Sequence, residues 1–163
     1  MNIYFALFQS QLSYGLMALG SASNDLIDKL VLLQKKVVRI ITNASFSAHT
    51  APLFKELGIL NIKDLFEHQY AMFMFDYDHG NLPEAFSSFF SKINDIHTYK
   101  TRSASLGKLA YTVKPKTVKH GDSLLKNLGV KTYNKIADLE IYQQSKTKNS
   151  FSKKFRNFLI TLY

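Results

Sequence analysis

Apolar positions along this chain fall mainly at helical spacing. Phe5, Phe8, Leu12, Leu16 and Leu19 step by three or four residues and predict a helix over about 2–19, though Ile3, Tyr4 and Leu7 place apolar groups on its other sides. Gly20-Ser21 breaks it. Leu26, Leu30, Leu33, Val37 and Ile41 form the stripe of a second helix over 24–43. Ser23 or Asn24 is its expected cap. Asp25 and Asp28 lie early and Lys35, Lys36 and Arg39 late, the charge order that suits the helix dipole.

Thr50-Ala51-Pro52 is a cap followed by a first-turn proline, which predicts a short helix over 51–57 that Gly58 stops in a left-handed conformation. Leu60 and Leu65 flank Asn61 as a hydrophobic staple, with Asp64 at the third helical position. The helix they open runs over 61–78 and is rich in aromatics. Leu82–Ile93 predicts one more short helix.

The period then changes. Leu109, Tyr111 and Val113 alternate with Lys108, Ala110, Thr112 and Lys114, which predicts a short strand or hairpin around 108–118, ended or pushed to an edge by Pro115. A helix capped by Asp122 or Ser123 and stopped at Gly129 is expected next, then a helical turn over 131–139. Ser150 is the expected cap of a last helix with Phe151, Phe155, Phe158 and Leu162 on one face. The predicted fold class is mainly α: an irregular multi-helix domain with a small β element.

Composition changes this picture in one respect, the placement of charge. Residues 1–99 carry seven Lys or Arg against nine Asp or Glu, and residues 100–163 carry fourteen against three. The chain therefore divides into a near-neutral helical part, 1–96, and a basic part, 97–163, within one continuous domain. That asymmetry points to a polyanion, RNA or DNA, as partner of the second part. A basic surface kept for solubility is the alternative. Lys100, Arg102, Lys108, Lys114, Lys116 and Lys119 are the candidate phosphate contacts, and Tyr99 or Tyr111 the candidate stacking platforms. Tyr111 shares the inward parity of Leu109 and Val113, which favours core. Lys153, Lys154 and Arg156 beside the phenylalanine stripe of the last helix complete the set.

Catalytic and metal signatures are missing from the sequence. No Cys is present, and the five histidines never take the spacing of a local metal motif. Asp76-Tyr77-Asp78-His79-Gly80 resembles the start of a calcium loop, but its glycine comes one residue early and the acidic twelfth position is lacking; its carboxylates are expected at a solvated helix end. The expectation is no enzyme by itself, no cofactor, no metal and no small-molecule ligand. The first 24 residues carry no charged side chain. Gln9, Ser10, Gln11 and Ser13 in their middle argue against a membrane span and a signal peptide, so this helix is expected to dock on protein, in an intracellular setting.

The motifs YGLMALG (14–20), LQKKVVRII (33–41), APLFKELGILNIKDLFEHQYAMFMF (51–75), LPEAF (82–86), HTYKTR (97–102), LGVKTYNKIADL (128–139) and SFSKKFRNFLI (150–160) follow one another in an order that, taken together, resembles the segment after the polymerase core in non-LTR, LINE-like retrotransposon reverse transcriptases of the jockey and related types. The resemblance spans nearly the whole chain. Tyr133-Asn134 stands where relatives usually carry Trp-Asn. The resemblance implies a fragment of a larger polyprotein whose RNA-directed DNA polymerase, with its paired aspartates, lies upstream. It further implies a helical, non-catalytic tail that packs on that polymerase through its uncharged first helix and touches nucleic acid. A helical protein-interaction or structural module, or a decayed transposon fragment with no activity, are the alternatives.

Overall fold

The computed structural model describes residues 2–19, 22–96, 99, 102, 108–110 and 125–163. Over these the protein is mainly helical with one small β element. A π-helical stretch, Tyr4–Gln9, leads into α1 (Ser10–Leu19); α2 (Asn24–Ile41), α3 (Thr50–Leu57) and α4 (Ile62–Asp78) follow. A single 3-10 turn over Glu84–Phe86 precedes β1 (Ser91–Lys92), α5 (Ile93–Ile96) and β2 (Leu109–Ala110), and α6 (Leu125–Ile136), α7 (Glu140–Gln143) and α8 (Lys148–Thr161) complete the order. No helix among the described residues is long and apolar enough to cross a membrane.

The chain forms two compact units, residues 1–68 with 153–163 and residues 69–152. Neither boundary coincides with the change of charge near residue 97.

In the first unit, Tyr4, Val38, Phe54 and Ile59 form a buried cluster, with Phe5, Phe8, Val37, Ile41, Leu53, Leu57 and Tyr163 packed around it. The corner between α3 and α4 forms as its sequence predicts. Gly58 takes φ +61°, Ile59 N–H donates to Phe54 O at 3.0 Å, and Gly58 N–H donates to Lys55 O at 3.1 Å. These paired bonds close the helix with a left-handed glycine, which has no Cβ to clash there. At the start of α4, Asp64 N–H donates to Asn61 Oδ1 at 3.0 Å, and Leu60 and Leu65 are both buried. Arg156 Nη2 donates to Gly58 O at 2.8 Å, tying α8 to this corner.

The buried face of α2 overlaps only part of the stripe its apolar pattern predicts, with Val37 and Ile41 packed on the core as expected. Leu26 and Leu33 are exposed, while Gln34 and Val38 are fully buried. The Gln34 amide accounts for the rotation. Its Nε2 donates to Tyr4 Oη at 2.8 Å and to Leu60 O at 2.9 Å, and its Oε1 accepts from Ile62 N–H at 2.9 Å. One side chain thus satisfies backbone groups on both sides of the α4 cap and the buried phenol of Tyr4. Left unpaired in apolar surroundings, each would cost about 1–3 kcal/mol.

The second unit is built on aromatic rings. Phe75 stacks on Phe151 with centroids 5.1 Å apart, and Tyr142 meets both edge-on. β1 pairs antiparallel with β2, Ser91 opposite Ala110 and Lys92 opposite Leu109. The predicted helix over 82–93 is therefore replaced by one 3-10 turn and a strand, because this segment supplies the partner that β2 needs. Residues 111–118 of the predicted hairpin lie outside the described residues. On Leu109, Asn134 acts as a further strand: its Oδ1 accepts from Leu109 N–H at 2.9 Å and its Nδ2 donates to Leu109 O at 3.1 Å.

Gly129 does not stop a helix; it lies buried inside α6. A Cβ there would sit 2.7 Å from Phe90 Cζ and 3.0 Å from Met74 Sδ, so the glycine is a packing requirement. At the last helix, Ser150 N–H donates to Thr147 Oγ1 at 3.3 Å; the cap is Thr147, and Ser150 lies inside α8. The buried face of α8 is Phe151, Phe155 and Leu159, with the expected Leu162 exposed.

Two substitutions check these assignments in denaturant unfolding. Gln34→Leu extends the apolar stripe yet should lower stability by about 3 kcal/mol, since it strands three buried partners; an unchanged or raised midpoint would remove the amide as the reason for the rotation. Gly129→Ala gains about 1 kcal/mol of helix propensity but overpacks the Phe90 ring at a cost of about 1–3 kcal/mol, so the net change should be destabilising.

Candidate functional site

With α2 rotated onto Gln34, an apolar flank of the first unit is left uncovered. Ile3 is 74% exposed, Leu7 70%, Leu33 51% and Ile40 77%. Ile3, Leu7 and Ile40 line a groove of about 360 Å³ whose other walls are Tyr4, Phe8, Val37 and Ile41. Among the described residues, no charged side chain lines it. The π-helical stretch, whose widened turn carries the Ser10 N–H to Phe5 O, aims Tyr4 inward and leaves Ile3 and Leu7 outside. Exposed apolar residues that share one groove, rather than scattered singly, are the mark of a surface that another molecule covers.

The expected phosphate contacts fare differently from one another. Lys100, Lys114, Lys116 and Lys119, with Tyr111, lie outside the described residues. Arg102 and Tyr99 are exposed. Lys108 and Arg156 are engaged within the protein: Lys108 Nζ lies 2.9 Å from Asp138 Oδ2, and Arg156 holds Gly58 O. Lys153 and Lys154 are exposed on α8. Among the described members, the structure brings together on one element only Lys153, Lys154 and Arg156.

The Asp76–Gly80 stretch is an exposed helix end from Asp78 onward, as expected, but its carboxylates are engaged. Asp78 accepts from Tyr142 Oη at 2.7 Å on one carboxylate oxygen and from Tyr133 Oη at 3.2 Å on the other, and Asp76 pairs with Lys148. Both carboxylates hold the second unit together. Among the described residues, no three His, Asp or Glu side chains group as metal ligands would. The sequence pattern missed Gln34, Ile40 and Asp78 as the residues that shape these surfaces. A polar residue inside an apolar arc, and an arc too wide for one core contact, are the signals that point to the first two.

Compared with protein families, curated proteins and solved structures, the chain matches none of them.

Three phenols are held protonated by their surroundings. Burial, reinforced by the charge of Asp78, pushes Tyr133 up to about 12. Burial and the hydrogen bond to Asp78 push Tyr142 higher still. Burial and the bond to Asp64 likewise raise Tyr163, against a smaller opposite effect of the Asn61 N–H. A phenol whose folded value lies above its unfolded value of about 10 stabilises the fold fully below pH 10, and this contribution is lost as pH rises through the folded value. The unfolding midpoint should therefore fall steeply from about pH 10 to 12, and Tyr142→Phe should flatten that fall. A midpoint level across this window would contradict the assignment.

Proposed function

We propose that this chain is a non-catalytic docking segment whose uncovered flank, Ile3, Leu7, Leu33 and Ile40, packs against another protein. Under the sequence resemblance, that protein is the polymerase core of the same polyprotein, a non-LTR retrotransposon reverse transcriptase. The observation that carries the reading is the exposure of Leu26 and Leu33, two of the five positions of the predicted stripe, and of Ile3, Leu7 and Ile40 along a groove with no charged side chain among its described lining. Leaving this much aliphatic surface in water is unfavourable by roughly 25 cal/mol per Å², and a partner that covers it recovers that free energy.

A second element of the reading is nucleic-acid backbone binding by the basic part. The charge split between residues 1–99 and 100–163 supports it. Phosphate contact by a flexible lysine needs little geometry, so it fits a docked tail that follows a template. Internal use of Lys108 and Arg156 shifts the expected contacts to Lys153 and Lys154 and to the lysines at 100, 114, 116 and 119.

Light scattering over a concentration series tests the docking face. The isolated chain should self-associate as concentration rises, and Leu33→Asp with Ile40→Asp should return it to monomer with unchanged circular dichroism, since both side chains are solvent-exposed. A wild-type chain that stays monomeric throughout would count against a sticky flank.

A further inference from the structure

One feature of the first unit lies outside the basic part and meets the apolar groove only at Ile40. Phe46, in the turn after α2, is 82% exposed, and the Arg39 guanidinium lies 6.0 Å from its ring centroid. Phe46 lines a separate pocket of about 320 Å³ together with Lys36, Arg39, Ile40, Asn43 and Ala44. Among the described residues, no acidic side chain lines it.

The pocket is firmly built. Asn43 takes a left-handed φ of 52°, Ala44 N–H donates to Arg39 O at 2.9 Å, and Arg39 Nε donates to Ala48 O at 3.0 Å. That last bond uses Nε, while the two terminal nitrogens are the pair that chelates phosphate oxygens. A helix C-terminus ordinarily repels an anion through its orphan carbonyls. Here Val38, Arg39 and Ile40 carbonyls accept from Thr42, Ala44 and Asn43 N–H, at 3.1, 2.9 and 3.2 Å.

We propose that this corner is a site for one unpaired nucleobase and its adjoining phosphate, the base stacked on Phe46 and the phosphate held by Lys36 and Arg39. An exposed ring beside cations is how single-strand sites combine stacking with backbone neutralisation. Asn43, which also lines the pocket, carries an amide with the donors and acceptor that a base edge can pair with. Lys36 in the wall favours nucleic acid over a protein partner, because lysine is depleted from protein interfaces. The site shares with the reading above its ligand class and one wall residue, Ile40; it lies in the near-neutral part and its test is separate.

The test is fluorescence anisotropy of the full chain with a labelled unstructured RNA oligonucleotide across a salt series. Phe46→Ala, at an exposed position, should weaken binding about five- to a hundredfold with the salt slope unchanged, and Phe46→Tyr should restore it. Lys36→Gln should reduce the slope by about 0.7. Replacing Lys114, Lys116 and Lys119 together by Gln examines the basic part alone. Loss of binding in that triple variant, with Phe46→Ala within twofold of wild type, overturns this site and leaves the basic-part reading standing. The reverse pattern supports the site and removes the basic part. No RNA binding by the wild type, or Phe46-dependent binding to anionic vesicles with RNA affinity unchanged in Phe46→Ala, also overturns it.

Discussion

The fully buried amide of Gln34 is the constraint on which the first unit depends. A helix such as α2, apolar over a wide arc, has no single rotation that its hydrophobic residues alone prefer, because several settings bury similar area. Hydrogen bonds are directional and hydrophobic contact is not. Three bonds from one side chain, to Tyr4, Leu60 and Ile62, therefore choose the setting. They fix the first helical stretch and the α3–α4 corner against α2 at once. That choice also creates the exposed flank, since turning Gln34 and Val38 inward turns Leu33 and Ile40 outward.

A comparable economy governs the second unit. Asp78 receives two buried tyrosine hydroxyls, and Asn134 pairs with both backbone groups of Leu109. A two-residue ladder is too short to be stable by itself; an amide standing in for a third strand satisfies groups that an edge would leave open. Tyr133-Asn134 thus occupies its place for two separate reasons. The ring seals the aromatic core and reaches Asp78, and the amide closes the β element.

These uses of polar groups shape the functional reading. Carboxylates that resemble a calcium loop are committed to structure, and so are two of the cations expected on phosphate. The uncovered features are an apolar groove without charge and a ring framed by Lys36 and Arg39. An apolar partner surface suits the first by its chemistry, and an unpaired nucleotide with its phosphate is what we propose for the second.

The helical class, the spans of the first four helices to within two residues, the Gly58 stop and the Asn61 cap are all legible in the order of residues. Each of these rests on local physics: a period of 3.6, a residue with no Cβ, a side chain that reaches a backbone N–H three positions on. The tertiary structure decided the rest. It made residues 91–92 a strand because Leu109–Ala110 needed a partner, carried α6 through Gly129 because Phe90 fills the space of a Cβ, and turned α2 by its one buried polar residue. Those outcomes depend on which groups meet across long stretches of chain, and spacing along the sequence carries no record of that.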